Sequence, residues 1–176
     1  MNVVDDYLTV NPYSRPAKPI QKVKGLVVHW TANPGKSAKF NRDFFESKKS
    51  GNLGYGSAHY IIDGDPEDGV ICCIPPSEIA YHVGATFYTD LALKNLSTYP
   101  NNCTIGVELC PVDWAGNFSD GTYQQAIELF KVLIGQYSLN PATNIYRHYD
   151  ITGKDCPHLF VTNPECFADF KQRVGG

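Results

Sequence analysis

The run Gly25-Leu26-Val27-Val28-His29-Trp30 is apolar up to its histidine and is shut off by the turn signal Asn33-Pro34-Gly35. Branched apolar residues in so short a run, opened by a glycine, read as a buried strand that carries His29 near its end. Residues 58–63 and 70–74 read as two further strands, joined by the turn-rich segment 63–69 into a hairpin. In Thr104-Ile105-Gly106-Val107-Glu108-Leu109, strand alternation puts Ile105, Val107 and Leu109 on one face and Thr104 and Glu108 on the other. Glu108 therefore faces away from the apolar stripe.

Helical spacing appears elsewhere. Ser37 is a plausible N-cap for a helix reaching about Lys49, with Phe40, Phe44 and Phe45 on one side. The capping-box pattern Thr122-Tyr123-Gln124-Gln125 opens the clearest helix, which carries Ala126, Ile127, Phe130, Leu133, Ile134 and Tyr137 and ends before Asn140-Pro141. A short strand at 144–146 delivers Arg147-His148, a loop runs through Cys156-Pro157, and Asn163-Pro164 begins a last helix with Phe167 and Phe170.

A chain of 176 residues is one domain in length. We divide it into an irregular N-terminal arm at 1–24 packed on the domain, the main domain at 25–174, and the start of a linker at 175–176. With 43% hydrophobic and 19% charged residues it is neither disordered nor collagen-like. A formal charge of −3 gives no electrostatic reason for a nucleic-acid partner, and no apolar run approaches the roughly 20 residues that span a bilayer. The acidic opening Met1-Asn2-Val3-Val4-Asp5-Asp6 is unlike a secretory signal, so we expect synthesis in the cytoplasm and reduced thiols for the six cysteines. Cys72, Cys73, Cys103, Cys110 and Cys166 read as packing thiols.

His29, His148 and Cys156 are the residues that suit chemistry. Imidazole nitrogen and thiolate sulfur are ligands for tetrahedral zinc, and three of them leave one position for water. Gly153 permits the intervening loop to turn back toward its start. Spacing alone leaves open the plainer reading, in which the histidines are hydrogen-bonded core residues and the cysteine is merely buried.

Five blocks taken in order favour the metal reading: Val27-Val28-His29-Trp30-Thr31-Ala32, Ser57-Ala58-His59-Tyr60-Ile61-Ile62, Ala80-Tyr81-His82-Val83-Gly84, Thr104-Ile105-Gly106-Val107-Glu108 and residues 147–157. Together they resemble the type-2 N-acetylmuramoyl-L-alanine amidases, a family that includes phage endolysins, bacterial autolysins and animal peptidoglycan recognition proteins. The resemblance covers the chain from about Lys24 to Phe170. It implies a single α/β domain, a mixed central β-sheet flanked by helices, with a zinc-site groove at the strand ends. It also implies that His29, His148 and Cys156 hold Zn, that Glu108 is the catalytic acid/base and that Lys154 stabilises the transition state. The eight-residue spacing from His148 to Cys156 matches the family block, which favours His148 over His158 as ligand.

Some relatives carry a catalytic tyrosine immediately before the His59-like residue. Here that position is Ala58, which places more of the acid/base duty on Glu108. His82 is a candidate substrate contact, and Trp114 a candidate sugar-stacking surface. His59 reads as a structural hydrogen-bonder and Trp30 as a packing residue. The expected partner is peptidoglycan, with neither nucleic acid nor membrane, and a separate wall-binding domain outside this chain. The implied protein is a phage or prophage endolysin that acts at the bacterial cell wall after release. Two alternatives stand beside it: a non-catalytic peptidoglycan-binding module, and a cysteine hydrolase using Cys156 with His148 and Asp150.

Overall fold

A computed structural model describes residues 1–67 and 69–176. Its centre is a six-stranded sheet in the order β1-β4-β3-β5-β2-β6, formed by β1 (Val4–Asp5), β2 (Gly25–Trp30), β3 (Tyr60–Ile62), β4 (Val70–Cys72), β5 (Thr104–Leu109) and β6 (Ile145–Arg147). All neighbouring pairs are parallel except the β3–β4 hairpin. The sheet is therefore mixed. Within the hairpin turn Gly69 N donates to Asp65 O, while Asp68 lies outside the described residues.

Alternation along the strands divides the core. Leu26, Val28, Ile105, Val107, Leu109 and Ile62 face α3 (Asp120–Tyr137) and α6 (Pro164–Gly175), which supply Ile127, Phe130, Leu133, Phe167 and Phe170. The opposite face packs on α1 (Ala38–Ser47) through Ile61 and Ala38, and near α2 (Asp90–Asn95) through Val27, Ala92 and Leu96. Two short helices, α4 (His148–Thr152) and α5 (His158–Thr162), complete the three layers. Among the described residues no helix is long and apolar enough to cross a membrane.

The strand and hairpin readings agree with this architecture, and Ser37 caps α1 by accepting from Phe40 N at 3.2 Å. Four details differ. The arm read as irregular contributes β1, an edge strand whose two residues pair with Ile71 and Cys72 of β4. Helix α3 begins earlier than its capping-box pattern predicts, because Ser119 Oγ accepts from Thr122 N at 3.1 Å. Helix α2 has no counterpart in the sequence reading, and the segment read as a loop between His148 and Cys156 opens with α4, which α5 follows after Pro157. All six cysteines are free thiols; only Cys166 is not buried.

Candidate active site and metal centre

The parallel strands β2, β5 and β6 end together, and ligand sites of α/β sheets lie off such carboxyl ends. His29 of β2 is in register with Glu108 of β5, so both side chains leave the sheet on the same face. β6 pairs with the other side of β2 and delivers His148 as the first residue of α4. Asp150 pins that helix start: its Oδ2 accepts from Arg147 N at 2.8 Å, and its Oδ1 pairs with the Arg147 guanidinium at 2.6 Å. Gly153, at φ +79°, then takes the left-handed conformation that reverses the chain. Tyr149 N donates to Cys156 O at 3.0 Å, so the returning segment brings Cys156 back beside His148.

One ligand atom from each of His29, His148 and Cys156 lies within 4.8 Å of the others. His29 Nδ1 is 3.1 Å from His148 Nδ1 and 3.7 Å from Cys156 Sγ. Bond lengths to a tetrahedral zinc imply edges of about 3.3 Å between nitrogens and about 3.6 Å from nitrogen to sulfur. The donor set fits the ion. Its electrostatics agree: burial drives the His148 imidazole down to about 4, helped by the charge of Lys154, and burial also holds His29 well below its ordinary value. Both rings are thus neutral, as ligands must be. Burial, then the Glu108 carboxylate, pushes the Cys156 thiol up, and a cation is what would reverse that preference.

Glu108 borders the same space. Burial pushes its carboxyl up to about 8 against the opposing pull of Lys154, and among the described residues its buried Oε2 has no hydrogen-bond partner. In front of it opens a groove of about 680 Å³, whose lining includes Glu108, His148, Lys154, Lys48, Tyr55 and Tyr99. Lys154 is exposed on the loop that returns Cys156. The arrangement unites a buried carboxyl, an ammonium and a three-donor cradle at the head of one groove.

His82 lies in the groove wall but is only 7% exposed, and both of its ring nitrogens face protein atoms. Trp114 is 72% exposed and is not among the groove-lining residues. His59 is the structural hydrogen-bonder read from the sequence: its Nε2 donates to Glu78 O and its Nδ1 accepts from Gly106 N, each at 3.0 Å. His158 pairs with Asp155 at 2.7 Å, and its ring stacks on Trp30, so it stands apart from the three-donor cluster. Sequence reasoning missed Lys48, Tyr55, Tyr99 and Asn101. Lys48 follows α1 and bonds Leu53 O at 2.9 Å, with its ammonium over Phe44. No local pattern marks any of the four, because the segments that carry them lack periodicity.

The sequence profile of N-acetylmuramoyl-L-alanine amidases matches residues 19–159. The chain is 38% identical over 176 residues to the N-acetylmuramoyl-L-alanine amidase BlyA of Bacillus subtilis (strain 168), covering 97% of this chain and 46% of that protein. It is 35% identical over 179 residues to the N-acetylmuramoyl-L-alanine amidase CwlL of Bacillus licheniformis, covering 99% and 47%. The chain thus spans about half the length of these curated relatives. Among solved structures, PlyL superposes with a TM-score of 0.76 at 22% identity, covering 100% of this chain and 99% of that one. A mutant endolysin from Bacillus subtilis gives 0.75 at 23% identity, covering 99% of each. The structures share the three-layer fold, and the sequence matches go further: the chain belongs to the N-acetylmuramoyl-L-alanine amidase family.

Proposed function

We propose that this chain is a zinc-dependent peptidoglycan hydrolase that cleaves the amide between the lactyl group of N-acetylmuramic acid and L-alanine of the stem peptide. The observation that carries the reading is the convergence of His29, His148 and Cys156 beside a buried Glu108 at the head of a groove. Family membership and the names of the relatives supply the substrate.

An amide resists attack because resonance weakens its carbonyl as an electrophile, and neutral water is a poor nucleophile. Zinc held by His29, His148 and Cys156 would lower the pKa of a coordinated water to about 7 and polarise the scissile carbonyl. Glu108 is the base. Its carboxylate form, which the charge of Lys154 favours against burial and a bound cation would favour further, accepts the proton of the attacking water, and as the acid it returns that proton to the alanine nitrogen while the C–N bond breaks. The products are a free lactyl carboxylate and a free alanine amine. Lys154 sets its positive charge toward the oxygen on which negative charge develops. Lys48 and Lys154 give the groove cations that complement the carboxylates of a stem peptide, and the exposed face of Trp114 offers a surface for a sugar ring.

The protein would be a phage or prophage endolysin whose longer form carries a separate wall-binding domain, consistent with the half-length match to its relatives. It would act at the wall after release from the cytoplasm where it is made. The cysteine-hydrolase alternative loses its third member, since the Asp150 carboxylate is committed to Arg147. Digestion of purified wall tests the proposal. New alanine amino termini that disappear with chelator are expected; new reducing sugar ends, chelator-resistant cleavage, or unchanged wall turbidity would each reject it.

A further inference from the structure

Behind His29, on the side away from His148 and Cys156, stands a second imidazole with no role in the chemistry described above. His82 Nδ1 lies 3.0 Å from His29 Nε2. The other nitrogen of His82, Nε2, lies 3.1 Å from Thr104 Oγ1 and 3.3 Å from Thr104 O. Thr104 Oγ1 in turn donates to Pro100 O at 2.8 Å. The ring is fixed from every side. Asn101 Oδ1 accepts from the backbone N–H groups of His82 and Val83, and Gly106 underlies the imidazole so closely that a Cβ there would fall 2.6 Å from its Nδ1.

Proton counting gives this chain a direction. A carbonyl oxygen only accepts, and a threonine hydroxyl has a single hydrogen. That hydrogen is given to Pro100 O, so His82 Nε2 faces two oxygens that both accept and must itself carry a proton. Its Nδ1 is then bare and accepts from His29 Nε2–H. His29 is left with its lone pair on Nδ1, the nitrogen that points at His148 Nδ1 and Cys156 Sγ. The opposite polarity would turn a bare His82 nitrogen against the lone pairs of Thr104 O and take the Thr104 hydroxyl hydrogen from Pro100 O, leaving that carbonyl only its bonds from Cys103 N and Sγ.

We propose that His82, Thr104 and Pro100 form a directional hydrogen-bond relay that fixes His29 in its Nδ1-ligating tautomer, making His82 a positioning residue for the cation rather than a group that touches substrate. This rests on the zinc reading made under Proposed function and assigns to that site the device that orients its first ligand. Partners on the far nitrogen of a ligating histidine set both ring orientation and tautomer, and losing one usually weakens metal binding by about 10- to 100-fold.

Histidine-ring NMR on the wild-type chain, with and without one equivalent of zinc, reads the tautomers directly. A protonated Nε2 and bare Nδ1 on His82 are expected in both samples; a proton on His82 Nδ1 overturns the relay whether or not zinc binds. Zinc affinity by chelator competition is the second measurement. His82→Ala should bind zinc about 10- to 100-fold more weakly. His82→Asn, whose side-chain oxygen can accept the same bond from His29 Nε2–H, should recover most of that loss. Melting each variant in excess chelator separates a packing defect from a ligand defect, because packing loss alone lowers that midpoint without the Ala-to-Asn difference in affinity. Unchanged zinc affinity in His82→Ala overturns the proposal. Failure of the wild type to take up zinc would instead defeat the metal reading, and the ring spectra tell the two failures apart.

Discussion

Glu108 acquires its properties from the strand that carries it. Alternation turns it off the apolar stripe, and register with His29 brings it to the mouth of the site, where burial raises its carboxyl to about 8. Glu108→Gln keeps the shape and removes the base. Zinc content should therefore stay at the wild-type level while the turnover of wall fragments falls by about 10²- to 10⁴-fold; near-normal turnover by this variant would remove Glu108 from the mechanism. Two positions earlier, Gly106 gives way to the His82 ring, so the methyl of Gly106→Ala meets a buried, hydrogen-bonded imidazole. Overpacking of that kind costs about 1–3 kcal/mol, read as a lower urea midpoint. An unchanged midpoint would mean the ring has room to move. The face of Glu108 was legible because a six-residue strand shows its period. The inward turn of His82 was not, since it depends on Asn101 and Thr104, 19 and 22 residues further on in sequence.

At the scale of elements, α1 clasps the N-terminal arm. Arg42 donates to Asp6 O at 3.0 Å and to Tyr7 O at 2.7 Å, and Glu46 accepts from Thr9 N at 2.9 Å and from Thr9 Oγ1 at 2.7 Å. Burial works to raise the Glu46 carboxyl, but hydrogen bonds from Lys49 and Thr9 outweigh it and hold it at about 2. A carboxyl depressed in the folded state contributes stability that is fully present above its unfolded value and is lost as pH falls toward its folded one. Between pH 5 and pH 2 the clasp should thus weaken by an amount of order 2 kcal/mol. Glu46→Gln should flatten that part of the stability profile, and equal acid sensitivity in the two proteins would deny the clasp its energy. These contacts also explain what sequence reading of the elements missed. β1 has two residues, too few to show alternation, and exists because β4 offers an open edge. Helices α4 and α5 have five residues each and form because Arg147 ties Asp150 to Phe160 O and Phe160 is fully buried. The long helix α3 and the strands β2 and β5 were legible because their own periods record which face is covered. The start of α3 slipped because both Ser119 and Thr122 are capping residues, and only the fold selects the first.

Across the whole molecule, the proposed metal centre would join parts of the chain that lie far apart in sequence. His148 and Cys156 are 119 and 127 residues from His29, and they reach the site on α4 and the loop behind it, both short and packed on the end of the sheet. Zinc bound there ties β2, α4 and the returning loop together, and because an unfolded chain offers no such cradle, binding energy becomes folding energy. At free zinc 1,000 times the dissociation constant the linkage is about 4 kcal/mol, which in a domain of this size moves the melting midpoint by on the order of 10 °C. Scanning calorimetry of the zinc-loaded protein before and after chelation should show that drop, and it should be restored by added zinc. Cys156→Ser removes the sulfur donor, so its midpoint should sit near that of the chelated wild type and respond little to zinc. A wild-type midpoint that ignores both chelator and zinc would mean that these three side chains are held by packing alone, and the cation would lose its place in the fold as well as in the chemistry.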